Sequence, residues 1–185
     1  VALAAYDGAL RAALLAYKER GRHELAAVLG DRLAGVVGAA LPGGRRVLLM
    51  PVPATAAAAR RRQGDHMARL ARRAARTLRA GGWRAEVVQP LRALPRPDSA
   101  ELSSAARARA AEHAFALRRG RLPAVRRAVV AGAVVVLLDD VITTGVTLRA
   151  AAERLRCADV EVPVAVVLAA TQRRGSTGKL PANEG

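Results

Sequence analysis

The sequence predicts an α/β fold, a mainly parallel sheet flanked by helices, with a helical region in front of it. Three observations carry that expectation. Short strand-like runs recur at 46–50, 83–89, 133–138 and 160–170, and the run from Ala133 to Leu138 is continuously apolar, as suits a strand covered on both faces. Segments with helical spacing, Met67 to Arg79 and Leu148 to Arg156, alternate with those runs. The 133–138 run ends in Asp139 and Asp140, followed by Thr143, Thr144, Gly145 and Thr147, and then by a helix: strand, acidic turn, hydroxyl-and-glycine loop, helix. The expected organisation is a helical region over 1–44, a sheet domain over 45–170, and a disordered tail over 171–185, where Gly, Ser, Pro and Asn collect.

In chain order, Tyr6 to Leu41 reads as helix. Leu10, Leu14 and Tyr17, then Leu25, Val28, Leu29, Leu33 and Val36, recur at helical spacing, with a break at Gly21-Arg22. The polar segment Ala16 to Arg22 reads as a solvated turn between two helices. Pro42-Gly43-Gly44 is a turn. Arg46 to Met50 is the first expected strand, stopped by Pro51-Val52-Pro53, because proline removes backbone donors and holds the chain extended. Arg60-Arg61-Arg62-Gln63-Gly64-Asp65-His66 leads into the next helix. Its arginines suit either a bidentate clamp on an anion or a solvated basic turn. His66 reads as a helix-start histidine without a role, with ligand contact or acid-base work as the alternative. Gly81 and Gly82 close that helix, and Trp83 to Gln89 is the second strand, with Trp83 as a packing residue. Pro90 to Arg127 is the least regular stretch. A long insertion in a compact domain is usually functional. His113, inside it, reads as structural or surface. Val160 to Ala170 is the last strand.

Composition narrows the classes. The chain has 185 residues, enough for one domain with a real core. Lys plus Arg number 31 against 15 Asp plus Glu, a net charge of +16. Such an excess attracts polyanions, nucleic acid or phosphorylated ligands. Lys18 and Lys179 are the only lysines, and the aromatic share of 2% argues against base stacking on an open platform. The single cysteine, Cys157, allows neither an intrachain disulfide nor a cysteine-built zinc site, and it reads as a small buried or half-buried residue. No apolar run is long enough for a membrane span, and no basic region followed by an apolar core opens the chain. A cytoplasmic protein without membrane insertion is expected. The chain opens on Val1 rather than Met, as it would after removal of an N-terminal piece.

The loop after the 133–138 run has a chemical logic. The carboxyl end of a strand in an open α/β sheet is where ligands bind. The first helical turn presents unpaired N–H groups and the positive end of the helix dipole, which suit a phosphate. Gly145 lets the backbone approach closely, and the threonine hydroxyls add donors. Two carboxylates next to an anion need something else to face. Sugar hydroxyls or magnesium would suit them.

The stretch Val135 to Thr147 closely resembles the phosphoribosyl pyrophosphate (PRPP) signature of type I phosphoribosyltransferases. That resemblance implies the type I phosphoribosyltransferase fold and a PRPP–magnesium ligand. It implies that Asp139 and Asp140 meet the ribose and its magnesium side, with no direct protein metal site. Thr143, Thr144, Gly145, Val146 and Thr147 would hold the 5-phosphate. Pro51, Val52 and Pro53, with Arg62, would meet the pyrophosphate, and the 90–127 insertion would be a flap that excludes water from a reactive sugar cation. Further segments are similar to the ComF family, tied to bacterial competence and DNA uptake: Tyr17 to Arg22, Val52-Pro53 with the Arg-Arg-Gln-Gly-Asp-His stretch, Leu102-Ser103 with Arg107, and Ala114-Phe115. Many members of that family carry an N-terminal four-cysteine zinc module, which this sequence lacks. Besides a regulator that senses PRPP by binding it without turnover, the resemblance leaves two readings of function. One is an enzyme, a glycosyltransferase passing phosphoribosyl to a nitrogen nucleophile, with no residue standing out as general base. The other is a competence factor that holds single-stranded DNA, or meets the DNA-uptake machinery, on the same fold without turnover. A homodimer is compatible with either.

Overall fold

A computed structural model describes residues 1–43, 46–95 and 114–171. Its main sheet has five strands, all parallel to their neighbours: β1 (Ala2–Ala5), β2 (Arg46–Pro51), β3 (Arg84–Val87), β6 (Val134–Ile142) and β7 (Val164–Ala170), in the order β1-β7-β6-β2-β3. Two further strands among the described residues, β4 (Leu91–Ala93) and β5 (Phe115–Leu117), form a separate antiparallel pair. The helices are α1 (Gly8–Glu19), α2 (Leu25–Ala40), α3 (Ala56–Arg61), α4 (His66–Ala80), α5 (Leu122–Val130) and α6 (Val146–Arg156).

The strand order explains where a site can lie. From β2 the chain crosses to β3 on one side; from β6 it crosses to β7 on the other. Crossovers of one hand that run in opposite directions put their helices on opposite faces of the sheet. So α4 covers one face and α6 the other, and β2 and β6, side by side, flank the crevice where an open α/β sheet takes its ligand.

Each face has its own core, and β6 feeds both by strand alternation. Val136 and Leu138 pack with Leu14 and Tyr17 of α1, Leu29 and Leu33 of α2, and Leu70 and Ala74 of α4. Val135 and Leu137 pack with Val125 of α5 and Leu148, Ala151 and Leu155 of α6. The first core is alanine-rich, so its helices approach closely. A Cβ on Gly30 of α2 would lie 2.5 Å from Arg73 Cγ of α4 and 3.2 Å from the Leu70 carbonyl oxygen, so only glycine fits there.

Several expectations change in detail. β1 was not anticipated; it is a short alanine-rich edge strand paired with β7. The last strand starts at Val164 rather than Val160, after a stretch without regular structure that contains Pro163. Trp83 packs against the first core, as anticipated. Cys157 is exposed rather than buried, because it caps α6 on its solvent side. The flap residues at its centre, with Leu102, Ser103, Arg107 and His113, lie outside the described residues, as does the tail beyond Thr171. Among the described residues no helix is long and apolar enough to cross a membrane.

Candidate functional site

The two carboxylates do not sit in a turn beyond the strand. They are inside β6, which runs on to Ile142. On its β7 side pairing continues to Ile142↔Ala170, but on its β2 side it ends at Leu138↔Pro51. Asp139 is thus the first residue of an overhang that projects past the end of β2. The Pro51-Val52-Pro53 segment is buried there and tied to the strand by Val52 N–H donating to the Leu138 carbonyl at 2.8 Å. Thr55 then caps α3, its hydroxyl accepting from Ala58 N–H at 3.2 Å.

Alternation sends the two side chains to opposite faces. Asp139 lies on the α6 face. With Val141 to Leu148 it lines a hollow of about 210 Å³, its open mouth included, which contains Thr143, Thr144, Gly145, Val146 and Thr147. Gly145 stands at the N-cap of α6 in the left-handed region, φ +77°, and no side chain caps the helix. The first turn therefore keeps its N–H groups free for a ligand, at the positive end of the helix dipole. Thr143 and Thr144 are exposed beside it. This arrangement can bind a phosphate.

Asp140 lies on the α1 and α4 face, only 5% exposed. Its Oδ2 receives Lys18 Nζ at 2.7 Å and His66 Nε2 at 2.8 Å. The Tyr17 hydroxyl donates to the His66 carbonyl at 3.0 Å. His66 is therefore no idle helix-start residue, and Ala16 to Arg22 is no mere solvated turn: Tyr17 is buried and Lys18 reaches the end of β6. His23 joins the cluster, its Nδ1 2.7 Å from Arg69 Nη1 and its Nε2 3.3 Å from Gln63 Oε1. Asp65 caps α4 by accepting from Ala68 N–H at 3.0 Å, which sets His66 at the first position of that helix. Sequence reasoning named these segments separately. It missed that they meet at Asp140, and the one available signal was their shared likeness to a single family.

The neighbouring carboxyls are driven apart. Burial, then the charge on Asp140, raises the Asp139 pKa to about 7, against a smaller lowering by the Asp140 N–H bond and by Lys18. Burial would raise Asp140 too, but the His66 hydrogen bond and the Lys18 charge outweigh it and bring the group to about 2. Arg62 is placed on the Asp140 side, where Nη2 bonds Glu19 Oε1 at 2.8 Å. Its Nε and the Nδ1 of His66 are the buried side-chain polar atoms without a partner among the described residues. Of the expected site residues, then, the structure groups Asp139 with the 143–147 loop, sets 51–53 beside the same strand end, and puts Asp140 and Arg62 on the other face.

No curated protein matches the chain. Residues 96–182, a segment that includes β6, the 143–147 loop, α6 and β7, match the family model of the phosphoribosyl transferase domain. That match and the mainly parallel five-stranded sheet flanked by helices give the chain the type I phosphoribosyltransferase fold and support a phosphoribosyltransferase-like function.

Proposed function

We propose that the protein binds PRPP with magnesium at the overhanging end of β6 and transfers its phosphoribosyl group to a nitrogen nucleophile. The observation that carries this reading is the uncapped N-terminus of α6, opened by left-handed Gly145, directly beside the Asp139 carboxyl. An anion site and a hydroxyl acceptor side by side match a sugar phosphate. Thr143 to Thr147 would hold the 5-phosphate. Asp139 would accept from the ribose hydroxyls, with Asp140 behind it. The 51–53 segment, with Arg62 on the far side, would face the pyrophosphate. The donor set consists of hard oxygens, which suits magnesium carried on the ligand's phosphates. Bound there, the ion would neutralise the departing pyrophosphate. The C1–oxygen bond to pyrophosphate breaks, the sugar passes through an oxocarbenium-like state, and the nitrogen lone pair forms the new bond. The chain's own contribution is to hold both ends of the sugar phosphate in place and to keep water out.

A second reading is single-stranded DNA binding by a ComF-like competence protein, in the cytoplasm or against the uptake machinery. It is favoured by Arg72, Arg76 and Arg79, exposed along α4 without an acidic partner among the described residues, in a chain of net charge +16. Isothermal titration separates the two. PRPP–magnesium is expected to bind the wild type, and Asp139→Asn is expected to weaken that binding by about a hundredfold, the scale of a lost charge-assisted acceptor. No binding by folded wild type, together with DNA affinity that falls steeply with salt, would leave only the DNA reading.

A further inference from the structure

Lys18 is unusual both in kind and in place. The chain carries 31 basic residues, yet Lys18 and Lys179 are its only lysines. Lys18 lies in the last turn of α1, far outside the matched segment 96–182, and its ammonium is 2.7 Å from Asp140 Oδ2. That oxygen also receives His66 Nε2 at 2.8 Å. An arginine fork seeks both oxygens of a carboxylate in one plane, whereas a compact ammonium can share one oxygen with a second donor. The choice of lysine therefore fits the geometry. Lys18 is 22% exposed at its side chain while Asp140 is 7%, so the ammonium closes the solvent edge over a buried carboxylate.

We propose that Lys18 is a positioning residue of the ligand site. Together with His66 it fixes the Asp140 carboxylate at the end of β6, and so makes helix α1 part of the sugar-binding apparatus. A carboxylate held by two donors on the core side cannot swing. The overhang it belongs to, with Asp139 as the preceding residue and Asp140 N–H bonded to Asp139 Oδ1 at 2.9 Å, is thereby held in one shape before the ligand arrives. Without Lys18, the Asp140 carboxylate keeps only His66 among the described residues, and the Asp139 acceptor loses the rigid neighbour it is bonded to. This inference rests on PRPP–magnesium being the ligand.

The test is a binding cycle. PRPP–magnesium is titrated into wild type, Lys18→Met, Lys18→Arg, Asp140→Asn and the Lys18→Met/Asp140→Asn double variant, with thermal stability measured on each. Lys18→Met is expected to weaken binding about tenfold, and Lys18→Arg to do the same despite its charge. In the Asp140→Asn background the loss of Lys18 is expected to change affinity by less than about twofold, since its effect passes through Asp140. Inorganic phosphate, followed at the Gly145 amide by NMR, should bind Lys18→Met as it binds wild type; a general loss of structure would weaken it too. Equal weakening in both backgrounds would mean that Lys18 contacts the ligand itself, and would overturn the positioning role. So would full affinity in Lys18→Met or Lys18→Arg. If Lys18→Met does not fold, Lys18→Arg and the double variant, which buries no unpaired charge, decide the matter. Absence of binding by wild type would overturn the ligand reading and this inference with it; binding by wild type that Lys18 variants keep would overturn this inference alone.

Discussion

Asp139 and Asp140 are consecutive residues of one strand, yet they live in opposite circumstances. Asp140 is buried among its partners, with Lys18 and His66 both on Oδ2. Asp139 faces a hollow lined by threonines and an uncapped helix end, and its one partner among the described residues is the Asp140 backbone N–H. The carboxylate with one oxygen filled by two side-chain donors belongs to the frame. The one that receives no side-chain donor among the described residues is where a ligand's hydroxyls would go. Two identical residue types are thus told apart by what surrounds them, and strand alternation alone is enough to separate them.

The largest effect should come from truncating the filled one. Asp140→Ala is expected to lower unfolding free energy by about 3 kcal/mol, because it strands Lys18 and His66 against a buried strand end. Asp139→Asn should do the reverse above neutral pH, raising the melting temperature while ligand binding is weakened. Chemical denaturation of the two variants side by side checks this, and equal destabilisation would erase the distinction between the faces.

The pH dependence sharpens the same comparison. A carboxyl whose folded pKa is raised to about 7 binds more protons folded than unfolded, so its contribution to stability is present below the unfolded value and is lost as pH rises towards 7. A carboxyl lowered to about 2 contributes stability above its unfolded value that is lost as pH falls towards 2. Together the pair predicts greatest stability in mildly acid solution, and Asp139→Asn should abolish the decline on the neutral side. Thermal melts of wild type and variant from pH 3 to 8 would read it.

A smaller effect belongs to the loop. Gly145→Ala keeps space for its methyl, 3.6 Å from Ile142 Cδ1, but must hold φ +77°. It should cost about 1 kcal/mol and reduce phosphate affinity at the same time, since relief of the strain would turn the first N–H groups of α6 away. An unchanged phosphate titration would argue that the anion does not sit on this turn.

Much of this was readable from the residues, for a local reason. An apolar run, a hydroxyl-and-glycine loop and a helix pattern are neighbours in sequence, and each has a short-range cause. The alternation of Asp139 and Asp140 could have been read as well, had the strand been extended through its charged residues; polarity argued for a turn, and pairing with β7 overrode it. What could not be read was remote. His66 meets Asp140 across 74 positions, and nothing in a basic turn says which way its histidine points. β1 was hidden because four residues rich in alanine carry no strand propensity of their own; only β7 makes them a strand.

β1 has one more consequence, for the order in which the chain can be assembled. It precedes the other described elements, yet its strand partner among the described residues is β7, which ends at Ala170. On a ribosome β1 emerges long before β7 and must wait for it before its hydrogen bonds can close, while β2, β3 and β6 already have neighbours to pair with. Until then β1 is a short unpaired edge trailing from a partly built sheet, and closing it means joining two strands far apart in sequence, the slowest kind of contact to find. A molecule caught before that step would carry the 143–147 loop complete and β7 with one edge bare. Newly made chains would then be most exposed to edge-to-edge association just as the site itself is finished.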